Sequence, residues 1–316
     1  MSGFAFCVSG ATISRPSPHE ALGAQGELVW IHLTSSNDEA EAWLAGQAGL
    51  PDYIVEPLIA AETRPRCDQI GEGAFLNLRG RSDDAMPMSD PLASVRIWAT
   101  EGRVISVTRR PLTAVKLVCD LVAAGKVHDP GDLIAEFAVA ITEELDPEVA
   151  DLGDELDDCE AQLDPAWVFE LRRTVTRVRS QAIGYRRFLS PQRAALEKLA
   201  SLPVGWLRDD DRLHLAAAAD RAARMAEELE AIRERSALTH EALTDLRAEQ
   251  IDARALVIAI VAMIFLPLTF LTGLLGMNVK GIPYADKPWA FDGVVLVCLA
   301  IAAAITLFFV ARRWFR

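Results

Sequence analysis

The sequence predicts an α+β membrane protein: an N-terminal cytoplasmic α/β domain, a helical region leading into one very long stalk helix, and two C-terminal transmembrane helices. Three observations predict it. Ala255–Val279 is 25 residues without a charge and Gly293–Ala311 another 19, close to the roughly 20 apolar residues that a helix needs to cross a bilayer. Short β-rich runs are confined to about the first hundred residues. From Asp210 to Gly276, 67 residues, the only proline is Pro267 and no glycine precedes Gly273, so one helix of about 100 Å is predicted there.

The elements follow in chain order. Over residues 1–111, Phe4–Val8, Leu28–Leu33 and Phe75–Leu78 read as strands, and Val95–Ala99 with Val104–Thr108 as a hairpin across Glu101-Gly102. Helical patterns lie between them at Asp38–Ala48 and Ile54–Ala61, which makes this region a compact α/β domain. Residues 112–205 are helical. Within them, residues 143–164 hold 11 acidic side chains and no basic one, and residues 171–193 hold seven arginines and no acid. Two antiparallel helices joined near Asp164-Pro165 are expected, their opposite charges facing each other or neighbouring subunits. The acidic face reads either as solvated surface or as a place for a divalent cation, since carboxylates are hard oxygen ligands.

The stalk, residues 206–254, carries a 4-3 repeat through Met225, Leu229, Ile232, Ser236, Thr239, Leu243, Leu246 and Gln250. Its polar members predict a seam that is weak or faces a wet axis. The helix enters the membrane unbroken as the first span, 255–278. A periplasmic loop (279–292), the second span (293–311) and a basic tail (312–316) complete the chain.

Charge is divided as sharply as hydropathy. Residues 1–253 carry 26 basic and 43 acidic side chains, a net −17, and the remainder is +4. So acidic a domain repels phosphates and attracts cations, which excludes nucleic-acid binding as the main activity. The N-terminal Met1–Arg15 has no basic segment ahead of a long apolar run, so the large domain is expected to stay where it is made. Arg247, Arg254, Arg312, Arg313 and Arg316 outweigh Lys280 and Lys287 of the connecting loop, which predicts cytoplasmic termini in a bacterial-type inner membrane. The five cysteines are odd in number and form no CxxC pair; reduced thiols are expected.

The chemistry concentrates at the end of the first span, Gly276-Met277-Asn278. Three such residues alone also suit a helix C-cap, since Gly and Asn tolerate left-handed backbone. Their setting, after a very long helix and before a second span and a basic tail, resembles the CorA family of divalent-metal transporters, whose signature is Gly-Met-Asn at this place. Within the family the chain is most similar to the ZntB zinc-transporter branch, through Trp30-Ile31-His32-Leu33, Thr63-Arg64-Pro65-Arg66-Cys67, Leu76-Asn77-Leu78-Arg79-Gly80, Ser94-Val95-Arg96-Ile97-Trp98 and the loop Gly276–Pro283.

The resemblance implies a homopentamer in the lipid bilayer, with five first helices lining one pore and the second helices outside. It further implies Zn²⁺ as cargo, with Mg²⁺ or Co²⁺ as the alternative, no permanently bound cofactor and no enzymatic activity. Symmetry points the same way, because two helices cannot enclose an aqueous path. Thr269 matches a pore-lining position of the family, and helical spacing adds Leu266, Ala262, Ile258, Ala255 and Ile251 to that face. A bare divalent ion is very costly against such a lining, so a hydrated ion is expected. Asn278 would supply a ring of amide oxygens to the ion's water shell. Lys280 departs from the branch, which usually has a small residue there; Asp286, and less directly Asp292, can offset its charge.

No zinc-ligand cluster is visible among His19, His32, His128, His214 and His240. The nearest approaches are His240-Glu241 in the stalk and Cys67-Asp68. No P-loop, calcium loop or nucleophile elbow occurs, so ATP-driven pumping and hydrolysis have no support. The alternative from another class is a membrane-anchored coiled-coil interaction protein, for which one span would suffice.

Overall fold

The computed structural model describes residues 2–34, 37–60, 64–83, 91–282, 284 and 286–311. The chain divides into two compact units, Met1–Leu163 with Phe169–His240, and Asp164–Val168 with Glu241–Arg316.

The first unit is built on a seven-stranded sheet of order β2-β1-β3-β7-β6-β5-β4. Its strands are β1 (Ser2–Ser9), β2 (Thr12–Ser14), β3 (Leu28–Thr34), β4 (Arg66–Ile70), β5 (Gly73–Arg81), β6 (Leu92–Thr100) and β7 (Arg103–Thr108). All pairs are antiparallel except β3 with β7. Leu28–Leu33 is buried throughout, as an unbroken apolar run in a central strand covered on both faces should be. The β6–β7 hairpin turns where predicted, Thr100 opposite Arg103, with Gly102 at φ 69°, a backbone conformation glycine enters without steric cost.

Short helices α1 (Pro18–Leu22), α2 (Asn37–Ala42, prolonged by a π-turn at Trp43–Gln47) and α3 (Asp52–Ile59) cover one face. There Leu44, Ile54, Val55 and Leu58 form a core with Val29, Ile31, Phe75, Trp98 and Ile105. Each such fully buried side chain contributes about 1.5–3 kcal/mol. The other face meets α4 (Thr113–Ala123) and α5 (Pro130–Ala161). The Trp30 and Phe137 rings meet edge to face at 5.6 Å, and a Cβ on Gly80 would stand 2.9 Å from Ile141, so glycine permits this close approach.

The acidic α5 is followed by a short turn at Pro165–Trp167 and the arginine-rich α6 (Val168–Ala200), then by α7 (Asp209–Leu275) and α8 (Ala290–Ala311). Glu155 pairs with Arg177 of α6, the antiparallel arrangement expected. The arginines of α7 take an equal part: Arg221 lies 3.0 Å from Glu143, and Arg235 pairs with both Asp157 and Glu160. Carboxylates on the acidic face are therefore answered within the same chain. These partly exposed pairs are worth about 0–1 kcal/mol each, more as an ordered network than as stability.

The stalk seam corrects the sequence expectation. Met225, Leu229, Ile232, Ser236 and Thr239 are all buried inside this unit, so they do not face a wet axis. Ile232 approaches Gly153 of α5, where a Cβ would stand 3.8 Å away, and the Thr239 hydroxyl donates to Glu160 at 3.0 Å. Of the three polar positions that made the seam look weak, Thr239 is matched to a carboxylate of the same chain.

At the far end of α5 and α7, three carboxylates that no local motif announces come within 4.8 Å of one another: Asp129, Asp132 and Asp211. Asp129 caps α5 by accepting from the Asp132 amide at 3.0 Å, and its carboxylate lies 2.9 Å from the Arg208 guanidinium. Asp132 accepts from the His128 backbone amide at 2.9 Å, with the His128 ring at 3.3 Å. Asp211 accepts from the Arg208 amide at 2.8 Å and presses on Gly131, where any Cβ would clash with its oxygen. Burial, and then the charges of Asp129 and Asp132, push the Asp211 carboxyl up to about 6.

A carboxyl raised in the folded state costs stability once ionised. The loss sets in as pH rises past the ordinary value near 4 and is complete above about 6. Asp211→Asn, which keeps an acceptor for the Arg208 amide, should therefore melt higher than the parent at pH 7.5 and equally at pH 4 by scanning fluorimetry. A lower melting point for the variant at pH 7.5 contradicts this account.

Candidate functional site

The second unit contains both apolar spans: the C-terminal part of α7, with mean hydropathy 2.6, and α8, with 3.0. Only 6% of each window is buried. Ile258, Leu266 and Phe270 are each 70% exposed or more, a continuous bare apolar surface that water does not tolerate on a soluble chain.

The surface of α7 is not uniform. Leu256, Ile264, Leu268, Leu271 and Leu275 form a half-buried stripe at helical spacing together with buried Ile260. Ile251, Ala255, Ile258, Ala262, Leu266 and Thr269 are all exposed. A step of two residues turns a helix by about 200°, so the expected lining residues occupy the face opposite the covered one.

Polar groups on this stretch are few and placed. The Thr269 hydroxyl donates to the Phe265 carbonyl at 2.8 Å, and that of Thr272 to Leu268 at 2.9 Å. Both protons are thereby used on backbone, while the oxygen lone pairs stay available. Pro267 sits inside the helix, where it gives no amide hydrogen to the turn before it.

At the end of α7, Gly276 still donates to the Thr272 carbonyl at 2.9 Å, and Val279 donates to Met277 at 2.9 Å in a tight turn. Neither Gly276 nor Asn278 has a positive φ. A left-handed cap therefore does not account for this Gly-Met-Asn. Asn278 is exposed, and among the described residues its amide makes no side-chain hydrogen bond, so both ends of that amide remain open to outside partners.

The loop carries Lys280 and Asp286, both exposed. Lys280 has no ion-pair partner among the described residues. Tyr284 and Trp289 pack with ring centroids 5.3 Å apart, amphipathic aromatics of the kind that settle at a membrane–water boundary. Asp292 lies in the first turn of α8, where a carboxylate complements the helix dipole. The basic residues Arg312, Arg313 and Arg316, together with Pro283 of the loop, lie outside the described residues.

The two metal-contact pairs suggested by sequence do not converge. Cys67 is buried, with its thiol pushed up to about 12 mainly by that burial. Asp68 points to the opposite face of β4, where it pairs with Arg66 at 3.4 Å and Lys198 at 3.3 Å. The His240 Nε2 accepts from Arg172 at 3.5 Å, and Glu241 is about 100° further round the helix. His32 is structural: fully buried, held down to about 3 by desolvation, with Nδ1 2.8 Å from the Ser106 hydroxyl. The acidic trio was missed because Asp129 and Asp132, at the start of α5, meet Asp211 of α7 only through the fold.

Comparison with known proteins places these features in context. The model of the family described as CorA-like Mg2+ transporter protein matches residues 25–313. The zinc transport protein ZntB of Pectobacterium atrosepticum is 30% identical over 90% of this chain and 87% of its own. The divalent cation transporter CmaX of Pseudomonas aeruginosa is 33% identical over 91% and 87%. Among solved structures, full-length CmaX is similar with a TM-score of 0.77 at 30% identity, covering 99% of this chain and 98% of that one. The CorA magnesium transporter of Methanocaldococcus jannaschii reaches 0.80 at 17% identity over 99% and 98%, a likeness of fold.

Proposed function

We propose that this chain, which belongs to the family of CorA-like Mg2+ transporter proteins, carries divalent metal cations across a membrane, with Zn²⁺ as principal cargo and uptake as the direction. The observation that carries the reading is the charge-free, exposed face of α7 ending in an Asn278 amide with no partner among the described residues. In this reading five copies place that face around one path, Thr269 and Asn278 supply oxygens along it, and α8 stands outside against lipid. The relatives named for zinc and for divalent-cation transport support the cargo. Both termini then lie in the cytoplasm, and the membrane is a bacterial inner membrane.

The physics of the lining fixes the form in which the ion passes. Ala255, Ile258, Ala262 and Leu266 offer nothing to replace the water of a divalent cation, and stripping that water against hydrocarbon is prohibitive. The cation therefore travels with its shell, and the amide oxygens of Asn278 accept hydrogen bonds from that shell. An apolar ring at Leu266 closes the path by dewetting when the helices approach. The Lys280 ammonium groups oppose cations at the mouth unless they turn outward.

Reconstitution into liposomes with an internal zinc- or magnesium-sensitive dye tests the reading. The parent should take up Zn²⁺, with Mg²⁺ supplied alone and in competition to rank the two, and native mass spectrometry in mild detergent should show five chains. Asn278→Ala should keep that mass and the melting temperature yet lose most uptake. Normal transport by this variant would move selectivity elsewhere; dissociation on size-exclusion chromatography would make Asn278 an assembly residue. Lys280→Gly should raise uptake, most clearly at low ionic strength where screening is weakest. Equal rates for parent and variant at every salt concentration would show that the lysines face away from the path.

A further inference from the structure

Tryptophan is put to two uses in this chain. Trp30, Trp43, Trp98 and Trp206 are buried, and the indoles of Trp30 and Trp206 donate to the Ser106 hydroxyl at 2.8 Å and the Glu72 carbonyl at 3.1 Å. Among the described residues two tryptophans are exposed, Trp289 by 55% and Trp167 by 57%. Trp289 packs with Tyr284 in the loop between the spans. Trp167 ends the short turn between α5 and α6, where neither the core nor the ion path uses it.

That turn belongs with the spans. Asp164–Val168 forms one compact unit with Glu241–Arg316, and the Gln250 side-chain amide donates to the Pro165 carbonyl at 2.5 Å. Gln250 lies five residues before Ala255, the first residue of the charge-free run, or about 7.5 Å along a helix. The polar headgroup layer on one side of a bilayer is roughly 5–8 Å thick. The backbone of the turn is already satisfied: the Asp164 carboxylate accepts from the Ala166 amide at 2.7 Å, and the Asp164 carbonyl from the Trp167 amide at 3.0 Å. The Trp167 indole N–H, by contrast, has no partner among the described residues. Leu163 and Phe169, which adjoin the turn in the chain, are exposed as well, whereas along the rest of α5 and α6 the exposed large apolar side chain among the described residues is Ile183 alone.

We propose that the turn at Asp164–Val168 is a membrane-surface contact, in which Trp167 lies at the acyl–headgroup boundary of the same bilayer that α7 and α8 cross. An indole suits that boundary because its ring is apolar while its N–H donates to lipid ester and phosphate oxygens. Trp167 and Trp289 then mark the two faces of the membrane, one at each end of the apolar run of α7. The Gln250–Pro165 bond passes this hold to the stalk helix just before it enters the hydrocarbon. The inference rests on the two spans and not on the identity of the ion or the path it takes, so its failure leaves the transport reading standing.

The test uses the full-length protein in phosphatidylcholine vesicles, with part of the lipid brominated either near the headgroup end of its acyl chains or near the bilayer centre. The fluorescence of Trp167 is obtained as the difference between parent and Trp167→Phe, an exposed substitution that leaves the fold intact. That difference should lose most of its intensity with shallow bromine and less with deep bromine, and acrylamide should quench it less in vesicles than in urea-unfolded protein. The Trp289→Phe difference should follow the same order. Intensity that no bromine position reduces overturns the proposal: with strong acrylamide quenching it places Trp167 in water, and with weak quenching beneath a neighbouring subunit. Stronger quenching by deep than by shallow bromine overturns it too. A second measurement needs no substitution: in the parent, phosphatidylcholine bearing a diazirine close to its headgroup should label the peptide that contains Trp167 on illumination, read by mass spectrometry. Absence of that adduct, while peptides of α8 are labelled, overturns the proposal even should Trp167→Phe fail to fold.

Discussion

The organisation of this chain depends on one constraint, the incompatibility of a charge-free helical face with water and with a bare divalent ion alike. The exposed face of α7 through Ile258, Ala262 and Leu266 is too apolar for a soluble surface and offers no ligand that could replace an ion's hydration. Two helices enclose nothing, so in the proposed assembly that face is covered by copies of itself. The few oxygens that remain, on Thr269 and Asn278, gain their weight from this setting. An asparagine at a helix end is unremarked in an ordinary domain; after a long apolar face, in the proposed pore, its amide oxygen would meet an ion's water.

The large domain solves a separate electrostatic problem. Its excess of acid is concentrated on α5, and the counter-charge is spread over two helices, with Arg177 on α6 and Arg221 and Arg235 on α7. Because both partners lie on helices packed side by side, the pairs set axial register as well as charge balance. Sliding one helix by a turn would unmatch several pairs together. Acidic groups left outside this ladder, at Asp129, Asp132 and Asp211, crowd one another, and one of them answers by holding its proton to higher pH.

Much of this was legible in sequence where a residue's own neighbours decide its fate. The strands at Leu28–Leu33, Phe75–Leu78 and Val95–Ala99 declare themselves by short runs rich in β-branched, aromatic and leucine side chains, the hairpin by its glycine, and the spans by the absence of charge. Edge strands escaped notice: β2 is three residues long and β4 reads Arg-Cys-Asp-Gln-Ile, a polar sequence of the kind that protects an edge from further pairing. The stalk seam was visible as a repeat, but a repeat does not say which surface covers it. Ser236 and Thr239 looked like signs of water, and Thr239 instead meets Glu160. The same limit applies to the site. The exposed face of α7 is a matter of spacing along one helix and could be written down from the sequence, whereas the acidic trio depends on helices meeting across the fold.

The threonine on that face has a further consequence. Its proton is committed to the Phe265 carbonyl, so an ion passing along that face in the proposed pore would meet only lone pairs. A hydrated cation turns its water hydrogens outward and is welcomed by such an oxygen; a hydrated anion turns its water oxygens outward and finds no donor there. In the proposed pore, five such hydroxyls would discriminate the sign of an ion without bearing any charge themselves. A carboxylate ring at the same level would achieve the sorting more forcefully but would also retain the ion. An uncharged acceptor wall sorts by water orientation and lets go.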